Sequence, residues 1–518
     1  MSQEKKDPAF SKAEINDAST AEALNLYHDV EGEISPEIAH SLRWKIDMRL
    51  MPLLCLTYTL QAIDKNTISY AAVFGLREEL GLKKTEFSWA SAIFYLGYMV
   101  WEFPTSMLLQ RLPINHFMAA TVVTWGTVLM CHGAVHSFAS LAVVRTLLGA
   151  FEAAIQPGTM LLFSMYYTRA EQPLRLGIWI GSSGVGYIIA GIASFGIGHI
   201  ESSLSSWRLL FIIWGAITFA WGILLWFMLP GAPMRAKFLT EEQRGYAVSR
   251  VKENATGIEN KRFKIKQFKE AMTDLKTWLL FTFALTSNSP NGGLSAFQGL
   301  IIKGAGFSTL QTTLYQMPSG GVQVVACLVA CYCATRFQNC RILIMIIFLM
   351  PFLAGVLGLH FLSQDNQYGR LACLWITFFY TASGTLNMSV ATANTAGHTK
   401  KITTIAMLLI GYCLGNFVGP FFFKTEQEPW YPLGVGMMFF CIAAQVLSLI
   451  GIWVLLWTRN RSRQAEHAPG NEEEAWHRGL LDETDLENKY FRICSSSPEL
   501  PVVPKGKDRR VNHVTPHF

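Results

Sequence analysis

The segment that decides the fold of this chain reads RTLLGAFEAAIQPG and runs from Arg145 to Gly158. It lies inside an apolar run of about residues 141 to 165, which is long enough to cross a bilayer as a helix. Arg145 and Glu152 are seven residues apart, so they share one helix face, with Gly149 on the same stripe between them. A charge costs roughly 2.5–3.5 kcal/mol at the middle of a membrane, so both side chains are expected to face a bundle interior. They form either a buried structural ion pair or part of a substrate or proton site.

The composition is that of a polytopic membrane protein. Of the 518 residues, 51% are hydrophobic and 15% charged, and the mean hydropathy of +0.27 is too high for a soluble enzyme of this length. Apolar runs on both sides of the first segment predict an all-α protein with twelve transmembrane helices. Lys and Arg collect in alternate loops, which predicts that both termini are cytoplasmic and gives no support to nucleic-acid binding. The cysteines lack zinc-ligand spacing, and we expect no metal and no cofactor.

These patterns divide the chain into five parts. They are a cytoplasmic N-terminal tail (1–45), an N-terminal six-helix bundle (46–230), a basic cytoplasmic linker (231–275), a C-terminal six-helix bundle (276–458) and a cytoplasmic C-terminal tail (459–518). Pro36 predicts the start of a helix before the first span. Thr240 with Gln243 predicts a capping box in the linker. Both tails are polar and unpatterned, and we expect them to be disordered.

The charged residues near the middle of the predicted spans lie in the N-terminal bundle. Asp64 and Lys65 are adjacent in the first span and about 100° apart around the helix, so they are poorly placed to pair with each other. Glu102 lies towards the cytoplasmic end of the second span and is a candidate gate or packing residue. Arg111, at which that span ends, is the other candidate gating residue. The fifth span is rich in glycine, which suits either a sliding interface or tight static packing.

The C-terminal bundle offers amides instead of charges. Residues 288–293 read NSPNGG, which predicts a helix break at membrane depth and so a transport site. Asn288, Asn291, Gln298 and Asn387 are candidates either for substrate contact or for hydrogen bonds between helices.

Several long motifs carry a family resemblance that covers about residues 40 to 460. They are LQAIDKNTISYAAVFGLREELGL (60–82), YLGYMVWEFPTSMLLQRLP (95–113), VVRTLLGAFEAAIQPG (143–158), MYYTRAEQPLRLGIW (165–179) and SNSPNGGLSAFQGLIIKGAGFS (287–308). In these motifs the chain resembles the allantoate permease family, a branch of anion:cation symporters within the major facilitator superfamily. The resemblance implies that Asp64 and Glu152 are the acids, and Arg145 the fourth-helix base, of anion:proton symporters. Lys65 stands where the wider superfamily has Arg, and the usual loop motif after span two is not intact in residues 110–113.

The resemblance and the charges together predict proton-coupled uptake of a small organic anion, by a monomer in the plasma membrane. The anion would be a carboxylate such as allantoate, a ureido acid, a small peptide or a vitamin. Protonation of Asp64 and Glu152 would leave Arg145, the main anion clamp, and Lys65, a second contact, without carboxylate partners, so proton loading and anion binding favour each other. Two alternatives stay open: a proton-coupled exporter of a metabolite or drug, and a nutrient receptor that does not transport. The sequence shows no nucleophile with a base, no metal cluster and no phosphate loop, so we do not expect an enzyme.

Overall fold

The architecture is a bundle of α-helices. The computed structural model describes residues 36–83, 85–168, 171–252, 264–337, 340–363, 365–466 and 483–488, and within these ranges no strand is present. We call residues 36–230 the N-terminal half and residues 264–466 the C-terminal half. The helices of the N-terminal half and the linker are α1 (Pro36–Val73), α2 (Leu76–Glu79), α3 (Glu86–Arg111), α4 (Ile114–Cys131), α5 (Phe138–Glu152), α6 (Ile155–Tyr166), α7 (Gln172–Ile197), α8 (Ser206–Met228) and α9 (Glu241–Lys252). Those that follow are α10 (Ile265–Thr273), α11 (Leu275–Gly304), α12 (Thr309–Tyr315), α13 (Met317–Arg336), α14 (Arg341–Phe361), α15 (Gln367–Thr377), α16 (Tyr380–Ala393), α17 (His398–Val418) and α18 (Pro432–Glu466).

Eight helical segments of the described residues are long and apolar enough to cross a membrane. They contain α4, α5 with α6, α7, α8, α12 with α13, α14, α17 and α18. Large apolar side chains point outward from the helix bundle, among them Phe103, Phe227 and Phe361 with exposures of 73%, 78% and 75%. Such exposed apolar side chains are typical of a surface in contact with lipid. The other four predicted spans coincide with α1, α3, α11 and the pair α15–α16. The count of twelve membrane-crossing segments stays a prediction.

The segment from Arg145 to Gly158 contains a break that the apolar pattern did not predict. Helix α5 ends at Glu152 and α6 begins at Ile155. Pro157 explains the break, because it has no N–H to donate to the carbonyl of Ala153, one turn earlier, and its ring crowds that carbonyl. The run is therefore two helices in line, and Glu152 is the last residue of the first one.

The predicted break around Pro290 is wrong, because α11 is continuous from Leu275 to Gly304. Pro290 cannot donate to the carbonyl of Thr286, one turn earlier. That carbonyl instead accepts a hydrogen bond of 3.2 Å from the side-chain amide of Gln445 on α18. A neighbouring helix thus satisfies the group that proline leaves free, which is how proline is tolerated inside membrane helices.

The two halves pack through α1 with α11, α3 with α17, and α7 with α13. Glycines bring α7 and α13 into backbone contact: a Cβ built on Gly184 would meet the carbonyl of Gly320 at 2.5 Å, and one on Gly320 would meet that of Gly184 at 2.4 Å. Small residues therefore permit a close approach between the halves at the glycine-rich fifth span.

Polar contacts between the halves concentrate at the C-terminal end of α1. The Ser69 hydroxyl accepts a 3.0 Å hydrogen bond from the backbone N–H of Gly299, and Lys303 donates to the Val73 carbonyl at 2.9 Å. Arg77 forms an ion pair with Glu428 at 2.6 Å. We call this the closed end of the bundle.

The polar segments differ in part from the expectations. Thr240 and Gln243 exchange the hydrogen bonds of a capping box at the start of α9, as predicted. Helix α1 already includes residues 36–45 of the predicted N-terminal tail, and α18 continues to Glu466, beyond the predicted start of the C-terminal tail. Residues 483–488 of that tail are packed against the C-terminal half rather than unstructured. Residues 1–35, 253–263, 467–482 and 489–518 lie outside the described part of the chain.

Candidate functional site

A cavity of about 220 Å³ lies between the two halves of the bundle. The N-terminal half contributes α1, α3, α6 and α7 to its wall, and the C-terminal half contributes α11, α13, α16 and α17. About half of the lining residues are aromatic or carry amides, and these include Tyr58, Gln61, Tyr95, Gln156, Trp179, Tyr187, Gln323, Tyr380 and Tyr412. Such a mixed wall suits a small organic molecule with polar groups.

Lys65 is the charged residue of this wall; the other lining residues, all within the described ranges, are neutral at pH 7. Its Nζ lies 3.9 Å from a carboxylate oxygen of Glu152, with side-chain exposures of 18% for the lysine and 0% for the glutamate. The ammonium also lies 5.7 Å from the ring centre of Phe94 and 5.6 Å from that of Tyr98. Lys65 therefore faces the cavity, and the buried carboxylate of Glu152 balances the charge of its ammonium from the side away from the cavity. The partner of Lys65 lies on another helix, as the spacing between Asp64 and Lys65 predicted.

Asp64 is fully buried behind this wall. Neither of its oxygens makes a hydrogen bond of regular geometry with any residue that the structure describes, although the Trp125 indole interacts with the carboxylate. Asp64 also interacts electrostatically with Glu152, Arg145 and Lys65, so the four predicted charges converge on one region.

Arg145 is 3% exposed and does not line the cavity. Its Nε donates to the Ala90 carbonyl on α3 at 3.3 Å, and its guanidinium lies 5.6 Å from the ring centre of Phe94. Gly149 makes this possible, because a Cβ there would meet the Phe94 carbonyl at 1.9 Å. The close approach of α5 to α3 thus sets Arg145 behind Phe94, and in this conformation it is not the cation that an anion in the cavity would meet.

The predicted amide residues divide into two groups. Asn288, Asn291 and Asn387 line the cavity, whereas Gln298 is 1% exposed and donates to the Ser319 hydroxyl at 2.5 Å, away from the wall. Asn291 is also part of a network between helices: it donates to Asn416 at 2.7 Å, and its oxygen accepts from the Tyr380 hydroxyl at 2.7 Å. Asn291 can therefore both contact a substrate and connect helices. Gln298 forms only a hydrogen bond between helices in this structure.

The two predicted gating residues do not meet each other. Glu102 is partly buried and Arg111 is exposed at the end of α3. In the described ranges neither takes part in a salt bridge.

The prediction from sequence missed most of the aromatic wall and Gln61. Gln61 lies one turn before Lys65 on the same face of α1 and interacts with Glu152. Tyr58 lies two turns before Lys65 on that face, so a helical period counted back from the lysine would have found both. Tyr380 and Tyr412 carry no such signal. A group of His, Cys, Asp or Glu side chains able to hold a metal ion was not found among the described residues.

Comparisons with known proteins agree with this architecture. A sequence profile of the Major Facilitator Superfamily matches residues 54–420. An uncharacterized transporter of Schizosaccharomyces pombe is 35% identical over 92% of this chain and 93% of its own length. The allantoate permease of Saccharomyces cerevisiae is 33% identical over 91% of this chain and 89% of its own length, and the thiamine pathway transporter THI73 of that yeast is 31% identical over 93% and 90%. A bacterial homologue of the human lysosomal transporter Spinster, solved in an inward-facing and occupied conformation, shares the fold with a TM-score of 0.57 at 17% identity, over 81% of this chain and 98% of that one.

The fold and the central cavity define a multi-pass membrane transporter of a small organic molecule, and the protein is not an enzyme. The chain belongs to the major facilitator superfamily and, within it, to the group of proteins similar to allantoate permease.

Proposed function

We propose that this protein takes up a small organic carboxylate together with protons, by alternating access of two six-helix bundles. The observation that carries the proposal is the ion pair between Lys65, on the cavity wall, and the buried Glu152. We further propose twelve membrane spans, cytoplasmic termini, a monomeric state and a location in the plasma membrane.

The pair explains how proton binding and anion binding are coupled. While Glu152 is ionised, it neutralises Lys65, and a carboxylate in the cavity gains little from the ammonium. Protonation of Glu152 leaves Lys65 as an unpaired cation in a poorly solvated site, where an anion is a favourable partner. Each binding event therefore strengthens the other.

Asp64 and Arg145 act behind this pair. Arg145 does not reach the cavity in this conformation, so the first contact with the anion falls to Lys65 rather than to the predicted arginine clamp. Arg145 supplies a fixed positive charge close to both acids, and Asp64 is a second carboxyl that can carry a proton. Both remain part of the proposed coupling machinery.

The closed end suggests which state of the cycle this is. With the N-terminus of α1 in the cytoplasm, Ser69, Lys303 and Glu428 lie on the outer side of the membrane. The cavity would then communicate with the cytoplasm, as in the inward-facing homologue of Spinster. This is the state from which a symporter releases its substrate.

The substrate class follows from the cavity wall and from one relative. The single cation suits a monocarboxylate, and the amides of Asn288, Asn291 and Gln61 can bind N–H and C=O groups such as those of a ureido acid. The similarity to a protein named allantoate permease supports this class. Uptake of a panel of labelled carboxylates by cells that express the protein will identify the compound.

Uptake of that compound by Lys65→Gln and Glu152→Gln variants tests the mechanism. Lys65→Gln is expected to lose at least about tenfold in uptake, because the anion loses its charged partner. Glu152→Gln is expected to bind substrate but not to accumulate it when the outside is made acid. Lys424→Gln and Glu201→Gln, exposed residues with the same charge changes, serve as matched controls at equal surface abundance.

Wild-type accumulation by both Lys65→Gln and Glu152→Gln would overturn the assignment. Depletion instead of accumulation after an acid pulse outside the cell would identify an exporter. Specific binding without any flux would identify a receptor.

A further inference from the structure

A short segment of the C-terminal region, residues 483–488, occupies a pocket at the end of the C-terminal half that is opposite the closed end. The pocket is formed by α10, the first turn of α11, the connection between α16 and α17, the start of α17 and the end of α18. Thr484 and Asp485 are fully buried in it, and Asn488 is 2% exposed. Such burial is unusual for polar residues and demands an explanation.

Three cations surround the carboxylate of Asp485. Lys276 lies 2.7 Å from it, Lys400 2.9 Å and Arg459 3.9 Å. Both lysine side chains are almost completely buried, with exposures of 1% and 0%. Lys276 also donates to the carbonyl of Asn394, at the end of α16.

Two further carboxylates share these cations. Asp274 lies 3.0 Å from Lys400 and 2.7 Å from Arg459, and Glu270 lies 2.8 Å from Lys400. Three acids therefore face three bases when the segment is docked. Without Asp485 the same pocket would hold three cations against two carboxylates, and a buried excess charge is unfavourable.

The pocket also recognises the shape of the segment. Thr484 and Glu487 exchange capping hydrogen bonds of 3.2 and 3.3 Å, and the Thr484 hydroxyl donates to Glu270 at 3.1 Å. Gly397 has a φ of +85°, and a Cβ there would meet the Thr484 methyl at 3.0 Å. The glycine thus permits both the turn before α17 and the seat of Thr484.

We propose that this pocket is a binding site for an acidic peptide turn, and that its ligand is the Thr484-Asp485 turn of the chain's own C-terminal region. Docking ties the ends of α10, α11, α17 and α18 together. Because α11 and α17 continue into the wall of the central cavity, the state of the segment bears on the rigidity of the C-terminal half. The proposal stands independently of the substrate and of proton coupling.

Hydrogen exchange of the purified full-length protein in lipid nanodiscs, followed by mass spectrometry, tests the proposal. In the wild type the amide of Asn488, which bonds to the Thr484 carbonyl at 2.8 Å, is expected to be protected. Asp485→Asn is expected to raise exchange of residues 484–488 by about tenfold or more, and to raise that of the first turn of α17 as well. Glu241→Gln is the matched control, because it removes the same charge from an exposed side chain at the start of α9, outside the pocket.

Asp485→Asn could perturb the whole helix bundle, and increased exchange in the distant helix α5 would reveal this. In that case Thr484→Val provides the test. This second variant leaves the charge balance intact and removes only the hydroxyl, and it is expected to raise exchange of residues 485–488 with α5 unchanged. Unprotected wild-type residues 484–488, or wild-type protection in both Asp485→Asn and Thr484→Val, would overturn the proposal. An equal effect of Glu241→Gln would also overturn it, because docking would then depend on overall charge and not on this pocket.

Discussion

Lys65 is the charged side chain through which the central site can bind an anion. It is the residue at which the buried charges of α1 and α5 meet the cavity, since Asp64, Arg145 and Glu152 all lie behind the wall. A lysine is suited to this position, because its ammonium is a compact charge on a flexible stem that can leave one carboxylate for another. A guanidinium, with its fixed fork, would hold Glu152 more rigidly.

The pH dependence of tail docking is also decided by single residues. Burial alone would raise the pKa of the Asp485 carboxyl, but attraction to Lys276 and Lys400 and hydrogen bonds from both outweigh it, so the pKa lies below its usual range. Burial also opposes ionisation of Asp274, but a hydrogen bond from Arg459 and attraction to Lys276, Lys400 and Arg459 outweigh it and lower the pKa of that carboxyl. A depressed pKa means that the stabilisation is fully present above about pH 4, the usual value for Asp, and is lost only as the pH falls through the docked pKa.

We therefore expect the docked segment to be insensitive to pH between about 5 and 8. The measurement is the protection of the Asn488 amide, corrected for the intrinsic pH dependence of exchange. Release of the segment within this window would show that another titrating group controls docking.

At the scale of elements, α11 shows how a helix keeps a proline without breaking. Pro290 is close in sequence to Asn288 and Asn291, which line the cavity, so a broken helix here would displace residues of the site. The side-chain amide of Gln445 on α18 replaces the missing backbone N–H by donating a hydrogen bond to the carbonyl of Thr286. Continuity of α11 is thus a property of two helices and not of one.

Replacement of Gln445 by Met tests this dependence. Gln445→Met keeps the length of the side chain but leaves the Thr286 carbonyl buried and unsatisfied, which is expected to destabilise the protein by roughly 1–3 kcal/mol. Pro290→Ala restores an N–H for that carbonyl, so the double variant should recover much of the loss in thermal unfolding temperature. Additive losses in the double variant would contradict the pairing of Gln445 with the proline site.

At the scale of the whole molecule, the two halves contribute different chemistry to one cavity. The N-terminal half brings Asp64, Lys65, Arg145 and Glu152, and the C-terminal half brings uncharged amides and hydroxyls. Protons and the carboxylate group would therefore be handled by the N-terminal half, and the rest of the substrate by amides of both halves, with Gln61 on one side and Asn288 and Asn291 on the other. Rocking of the halves about the contacts of α7 with α13 would move both ligands together.

Transport of two protons with a monoanion moves one net positive charge, so uptake is expected to respond to voltage. An inside-negative potential of 100 mV adds about 2.3 kcal/mol, or about 50-fold, to the accumulation that the cell can reach. In proteoliposomes with an imposed potassium gradient, the wild type should show this dependence. Glu152→Gln, which is expected to bind substrate without accumulating it, should show no accumulation at any voltage.

Voltage-insensitive accumulation by the wild type would show that a single proton accompanies the anion. In that case Asp64 or Glu152 has a structural role, and uptake by Asp64→Asn would show which of the two.

Much of the fold was predictable because the length and the polarity pattern of a membrane helix can be recognised in its sequence. Most of the helical segments, the capping box of Thr240 and the pairing of Lys65 with a residue other than Asp64 follow from local spacing. The convergence of the four charges on one interior region was predictable, since charged side chains in a membrane helix face the interior of the bundle. The aromatic wall was not, because Tyr380 and Tyr412 look like ordinary core residues until two distant helices face each other.

The sequence by itself determined that this protein is a helical membrane protein with four charges held inside one bundle, because the cost of charge and of unpaired backbone in lipid leaves few other solutions. Its motifs, by their resemblance to a known family, indicated transport. Only the tertiary structure decided that Lys65 rather than Arg145 faces the cavity, that α11 stays whole across Pro290, and that Asp485 returns to pair with Lys276 and Lys400. The physical reason is that each of these outcomes depends on which side chains meet from segments far apart in the chain, and local spacing does not contain that information.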